Sequence, residues 1–98
     1  MSLLGILLAS PKELERATRY AKAARALGHE VSVFVTFEAV SLLGEPSVDA
    51  LVQEAQVVAC AQTVQQQKIK VRPGVILGSQ FDHAELADKS DRFLSLTG

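Results

Sequence analysis

Residues 3–37 read LLGILLASPKELERATRYAKAARALGHEVSVFVTF and predict a strand, a helix and a second strand, in that order. Residues 3–8 are apolar without alternation, which favours a strand covered on both faces, as in parallel sheets. Residues 30–37 are rich in β-branched and aromatic side chains and predict the second strand. Two strands joined by a helix over this length indicate a parallel crossover, so this stretch decides the fold class.

The helix between these strands has signals at both of its ends. Ser10 is placed to cap it, Pro11 suits the first turn, and Glu13 completes a capping-box pattern. Gly28 supplies a left-handed cap at the other end. Apolar residues recur at three- and four-residue steps and predict one stripe of mostly small side chains that lets the helix lie close to the sheet: Leu14, Ala17, Ala21, Ala24 and Leu27.

The rest of the chain continues to alternate helices with strands. The predicted helices are 38–43, 48–55 with Ser47 as its cap, 61–67, and 81–89 with Leu86 and Ala87 facing inward. The predicted strands are 57–59, 75–77 and 92–96, with a turn at 71–74. The sequence therefore predicts a single domain over residues 1–98, a three-layer α/β/α fold with a mostly parallel five-stranded sheet.

Composition excludes several classes of protein. The chain has 98 residues, 48% of them apolar and 21% charged, which is typical of one small soluble domain. Ten basic residues against eleven acidic ones leave no surplus for phosphates, so no direct contact with nucleic acid is expected. The apolar run at 3–9 is too short to span a bilayer and no basic residue precedes it, so we expect no membrane or secretory segment and a cytoplasmic location. One cysteine and two histidines predict neither an internal disulfide nor a metal site, and we expect no cofactor.

Cys60 is the strongest candidate for chemistry. In open parallel sheets, ligands gather where the carboxyl ends of strands lead into helices, and Cys60 directly follows the predicted third strand. A thiol at the start of a helix faces unpaired amides and the positive end of the helix dipole, and both favour the thiolate. The alternative is that Cys60 is a small buried apolar side chain, as lone cysteines often are.

Other residues fall at the same edge of the predicted sheet: Ser10, Phe37 with Glu38, Ser79 with Gln80, and Thr97 with Gly98. We regard Ser10, Phe37, Ser79 and His83 as candidates for lining a cleft there. His83 could orient or deprotonate a thiol, and the alternative is an ordinary surface histidine. Ser10 is explained by its capping role alone, and Phe37 by core packing.

Three segments together resemble the DsrE/DsrF-like family of sulfur-relay proteins, which includes the TusBCD subunits of a relay for tRNA thiolation. They are GHEVSVFVTFEAVSLL at 28–43, VVACAQTVQQQKI at 57–69 and GVILGSQFDHAELADKSDRFLSL at 74–96, and they cover most of the chain. The resemblance implies a cysteine that accepts sulfane sulfur as a persulfide from a donor protein and passes it to an acceptor protein, and that role falls on Cys60. It also implies a homo-oligomer or a hetero-oligomer with related small subunits. Two positions depart from the family pattern, since Ala39 and Lys68 stand where glycine is common.

Three functions remain open at this point. The first is a persulfide carrier or sulfurtransferase-like subunit with Cys60 active. The second is a noncatalytic oligomeric binding or scaffold subunit with Cys60 structural. The third is a one-cysteine thiol redox protein, which has no resolving thiol in the chain. We also expect self-association, because two short neighbouring helices present much apolar surface through Leu42, Leu43, Val48, Leu51 and Val52.

Overall fold

The computed structural model describes residues 2–97, and these form a five-stranded parallel sheet with helices on both faces. The strands are β1 (Leu3–Leu8), β2 (Glu30–Val35), β3 (Gln56–Cys60), β4 (Val75–Gly78) and β5 (Arg92–Leu96). The α-helices are α1 (Leu14–Ala26), α2 (Asp49–Glu54), α3 (Ala61–Gln67) and α4 (Gln80–Lys89). Short 3₁₀-helices occupy Pro11–Glu13, Phe37–Gly44 and Pro46–Val48.

The strand order explains how the helices divide between the two faces. The order is β4-β3-β2-β1-β5, and all neighbouring strands are parallel. After β4 the chain must return from one edge of the sheet to the other, and it does so through α4, which packs on β1 and β2. The other helices pack on the opposite face. The predicted fold class is confirmed.

The main core lies on the face that carries α1, α2 and α3. Ile6, Val33 and Val57 lie side by side in the register of β1, β2 and β3, and all three are fully buried. Ala17, Ala21 and Ala24 of α1 belong to the same core cluster, as the stripe of small residues predicts. Leu27 does not, because α1 ends at Ala26 and leaves Leu27 75% exposed.

The short helices after β2 also belong to this core. Leu43, Val48 and Leu51 are fully buried, and Leu42 and Val52 are partly buried. These residues are part of the core of the single chain and do not form an exposed apolar surface. The prediction that they present an apolar surface for self-association is therefore wrong. Self-association itself stays a prediction.

The second face of the sheet is covered mainly by α4. His83 and Leu86 face the sheet, whereas Ala87 is exposed, which corrects the predicted inward face. Gly5 permits the close approach, because a Cβ at this position would meet the hydroxyl of Ser90. A ten-residue helix spans about 15 Å and cannot cover all five strands, so Ile76 on the edge strand β4 stays 45% exposed.

Several boundaries differ from the predicted ones for local reasons. The predicted second strand reaches residue 37, but β2 ends at Val35, because Phe37 leaves the extended conformation and begins a 3₁₀-helix. Ser47 lies inside a 3₁₀-helix that follows Glu45, so it caps nothing. Glu13 forms an ion pair with Arg16 at 3.2 Å instead of closing a capping box. Within residues 2–97, no helix has the length and apolarity needed to cross a membrane.

Candidate functional site

Cys60 is at once the last residue of β3 and the N-cap of α3. It pairs in register with Gly78 at the end of β4, so its thiol lies at the carboxyl edge of the sheet. Only 6% of the residue is exposed, and it forms no disulfide. The sequence predicted this position correctly, and the structure adds that the thiol is closed off from bulk water by its neighbours.

Groups at the start of α3 hold the pKa of the Cys60 thiol below its usual range. The main cause is the Thr63 side chain, followed by the Thr63 backbone amide. Burial acts in the opposite direction and raises the pKa, while the Gln62 amide and the Gln80 side chain lower it further. These donors favour the thiolate, which accepts hydrogen bonds more strongly than the neutral thiol does. The local chemistry therefore favours a nucleophilic sulfur.

A cleft of about 780 Å³ lies at this edge of the sheet. Its walls come from the loops that follow β1, β2 and β5 and from the first turns of α3 and α4: Ala9, Ser10, Thr36, Phe37, Glu38, Thr63, Gln66, Gln67, Gln80 and Thr97. Thr63 and Gln80 are also the two side chains that act on the Cys60 thiol. Cys60 itself is not among the residues that line the cleft.

Thr36 is a buried polar residue in the wall of this cleft. It is only 4% exposed, and it begins the 3₁₀-helix Phe37–Gly44 without a capping hydrogen bond from its side chain. In the parallel pairing of β2 with β3, Val35 is opposite Ala59, so Thr36 follows β2 where Cys60 ends β3. The Thr36 side chain therefore adds a polar group to the wall of the cleft beside the end of β3.

Phe37 adopts a strained backbone conformation at the same place. Its φ is 52°, in the left-handed region that non-glycine residues rarely occupy, and its side chain is 67% exposed. The side-chain amide nitrogen of Gln67 donates a hydrogen bond to the carbonyl oxygen of Phe37 at 3.5 Å. Strained backbone is often found at functional sites, where it holds a side chain in place. Here it presents an aromatic ring at the wall of the cleft rather than in the core.

The remaining candidates are divided between two places. Ser10 lines the cleft and also caps the first turn, since its hydroxyl accepts from the Lys12 amide at 3.3 Å. Ser79 caps α4 through a capping box with Asp82, and it does not line the cleft. His83 lies on the face of α4 that packs on the sheet, where it stacks on Phe34, and it is also outside the cleft lining. Gly98 lies outside the described residues.

Two residues of the site were missed by sequence reasoning. Thr63 is three residues after Cys60, which is the spacing of a capping box, and this signal was available. Thr36 directly follows an apolar strand, and nothing in the sequence distinguishes it from an ordinary strand threonine. Among residues 2–97, no group of three His, Cys, Asp or Glu side chains is arranged to hold a metal ion.

Comparison with known proteins adds no family to this description. No protein-family model matches the chain, and no curated protein matches it significantly.

Proposed function

We propose that this protein is a persulfide sulfur carrier, a sulfurtransferase-like subunit of a sulfur relay, with Cys60 as the group that accepts and donates sulfane sulfur. The single observation that carries the proposal is the place of Cys60, at the end of β3 and the start of α3, next to a cleft at the carboxyl edge of the sheet whose residues Thr63 and Gln80 lower the pKa of its thiol. The resemblance of three segments to DsrE/DsrF-like proteins supports the same function.

The chemistry needs only the thiolate of Cys60 and a donor persulfide. The Cys60 sulfur attacks the outer sulfur of the donor, so a new sulfur–sulfur bond forms and the bond between the donor's two sulfurs breaks. The donor leaves as a thiolate, and Cys60 becomes a persulfide that keeps the proton on its outer sulfur. An acceptor thiolate then attacks that outer sulfur, and Cys60 leaves as a thiolate. No net oxidation or reduction occurs.

The cleft is suited to a partner that brings its sulfur on an extended segment. Its lining is mostly hydroxyl and amide side chains, with Glu38 as the charged member, so it offers hydrogen bonds and no cation for a small anion such as thiosulfate. The proposal therefore includes sulfur donor and acceptor proteins in the cytoplasm. The exposed apolar residues Ile76, Leu77 and Phe81 support an oligomer with copies of this chain or related small subunits.

A second candidate function is a noncatalytic scaffold subunit in which Cys60 is structural. The observation that favours it is the 6% exposure of Cys60, since a buried lone cysteine packs like a small apolar residue. The carrier requires the Cys60 thiol to react in the folded protein, whereas the scaffold requires it to stay unreactive until the protein unfolds.

The test is to incubate the native protein with a persulfidated donor protein and to weigh the intact chain. A gain of one sulfur atom that a reductant removes, and that a folded Cys60→Ser variant does not show, supports the carrier. A native chain that never gains sulfur, and whose thiol reacts with iodoacetamide only after unfolding, supports the scaffold.

A further inference from the structure

We propose that Phe37 and Glu38 form a subsite for a basic side chain, so that the partner segment which enters the cleft carries a lysine or an arginine. The inference rests on the proposed function only in taking the cleft as the place where a partner protein presents its sulfur. It adds the charge of that segment, which the proposed function leaves open.

Phe37 presents an exposed aromatic ring to the cleft. Burying such a ring would stabilise the fold more than leaving it in water, yet most of it is exposed at the cleft wall. Its φ of 52° suits glycine and strains a phenylalanine. The side-chain amide of Gln67, which lines the same cleft, holds the Phe37 carbonyl oxygen in place. A ring that is both strained and exposed adds little to stability, so we assign it to ligand binding.

Glu38 follows Phe37 in the chain and brings a carboxylate to the same cleft. It is exposed, and no basic side chain among residues 2–97 forms an ion pair with it. Its backbone is held where it is, since its carbonyl oxygen accepts a hydrogen bond from the Ser41 hydroxyl at 2.9 Å. Within the described part of the chain, no lysine or arginine lines the cleft. The cleft therefore carries a negative charge that nothing in its lining neutralises.

A carboxylate and an aromatic ring in one cleft together recognise a cation. The electron-rich face of the ring attracts an ammonium or guanidinium group, and the carboxylate pairs with the charge of that group. An anionic ligand would be repelled by Glu38, and an apolar one would desolvate its carboxylate without replacing the lost hydrogen bonds. A lysine or arginine side chain is the ligand that uses both groups.

The rest of the lining favours a peptide segment over a free cation. The cleft of about 780 Å³ is in the range of sites for drug-sized ligands and is far larger than one ammonium or guanidinium group. Side chains with hydroxyl and amide groups donate and accept hydrogen bonds, as the amides and carbonyls of an extended backbone require. Seven such residues line the cleft: Ser10, Thr36, Thr63, Gln66, Gln67, Gln80 and Thr97.

Two positive groups near this edge of the sheet do not cancel the charge of Glu38. Lys12 lies on the 3₁₀-helix Pro11–Glu13, which packs on Phe37–Gly44, but Lys12 does not line the cleft. The start of α4 is the positive end of a helix dipole, and Asp82 in its first turn offsets it. The cleft wall therefore remains negative.

The test is a binding titration of the isotope-labelled full chain, followed by NMR. The probes are blocked, cysteine-free pentapeptides of the form Gly-Ser-Xaa-Ser-Gly, with arginine, glutamine or glutamate at the centre, and arginine amide alone. The backbone amides of Phe37 and Glu38 and the side-chain amide of Gln67 report binding at the subsite.

The variants change one group of the subsite at a time. Glu38→Gln removes the charge, Phe37→Leu removes the aromatic face, and Phe37→Tyr keeps it. Glu15→Gln is the matched control, because Glu15 is an exposed acid on α1 that does not line the cleft, so the net charge changes equally.

We expect the arginine peptide to shift the reporting resonances and to bind about threefold to thirtyfold more tightly than the glutamine peptide, with the glutamate peptide weakest. Glu38→Gln and Phe37→Leu should each weaken the arginine peptide about twofold to fivefold. Phe37→Tyr and Glu15→Gln should bind it as the wild type does. Added salt should reduce the preference for arginine, because it screens an exposed ion pair.

Equal binding of the three peptides, shifts confined to residues outside the cleft, or no binding at millimolar peptide would overturn the inference. Arginine amide that binds as tightly as the arginine peptide would overturn the choice of a peptide segment. An unchanged preference in a Glu38→Gln variant of wild-type stability would overturn the role of Glu38. The proposed function is judged separately by the gain of sulfur. A chain that prefers the arginine peptide and never gains sulfur refutes only the carrier, and one that gains sulfur without this preference refutes only the subsite.

Discussion

Thr63 lies three residues after Cys60 in the first turn of α3, and its side chain is the main cause that holds the pKa of the Cys60 thiol below its usual range. The spacing arises because Cys60 is the N-cap of α3 and Thr63 lies in its first turn. The end of β3, the start of α3 and the threonine that lowers the thiol pKa therefore all fall within residues 60–63. The structure links the reactivity of the sulfur to the local geometry of one turn.

Replacing Thr63 by valine should make the thiol less acidic, because valine has nearly the same shape and no hydroxyl to donate. We expect the rate of alkylation of the native thiol near neutral pH to fall about threefold to tenfold. Thr63→Ser is the control and should stay near the wild-type rate. Equal rates for the wild type and the valine variant across the pH range would show that the hydroxyl does not act on the sulfur.

The lowered pKa of Cys60 also predicts how stability changes with pH. The folded chain binds the thiol proton less tightly than the unfolded chain, so the contribution is fully present above the unfolded pKa of about 8.5 and is lost as the pH falls through the folded pKa. The free energy of unfolding of the wild type, relative to Cys60→Ser, should therefore rise with pH between these two values. Denaturant unfolding at a series of pH values measures it, and a flat or falling difference contradicts the lowered pKa.

Much of this fold could be predicted from the sequence, because the signals are local and agree with each other. The capping pattern at Ser10, the alanine stripe of α1 and the apolar strands all point to a parallel sheet, and the structure has it. The position of Cys60 at a strand end followed from the same reasoning.

The rest depended on contacts between segments distant in sequence. Leu43 and Leu51 look like exposed apolar surface on short helices, and only their packing against the sheet shows them to be core. The position of His83 against the sheet depends on stacking with Phe34 of β2 and Phe93 of β5. Residue periodicity in a ten-residue helix of mixed composition could not identify that face.

Phe37→Gly should slow sulfur transfer without lowering the stability of the fold. Glycine adopts the left-handed conformation of this position without strain, and a side chain that is 67% exposed contributes little to the core. We expect the free energy of unfolding to stay the same or to rise by up to about 1 kcal/mol. We also expect slower sulfur transfer, since the ring is lost from the wall of the cleft. Phe37→Ala, which keeps the strain, is the control. A glycine variant that is clearly less stable would show that the ring packs in the fold.

Lys68→Gly should stabilise the protein. Lys68 ends α3 with a φ of 55°, the conformation that usually selects glycine after a helix. The expected gain is about 1 kcal/mol in the free energy of unfolding, measured with denaturant. Lys68→Ala retains the strain and should give no comparable gain. If alanine and glycine stabilise equally, the backbone conformation is not the cause.

The most direct test of the central claim is to follow a radioactive sulfur atom through Cys60. The native protein is loaded from a persulfidated donor labelled on its outer sulfur, separated from the donor, and mixed with an acceptor thiol. The account predicts one labelled sulfur per chain, none on Cys60→Ser, and release of the label to the acceptor without unfolding. A native protein that takes up no label although its thiol reacts with a small alkylating reagent, or that keeps the label until it is denatured, would contradict the claim that Cys60 carries a transferable sulfur.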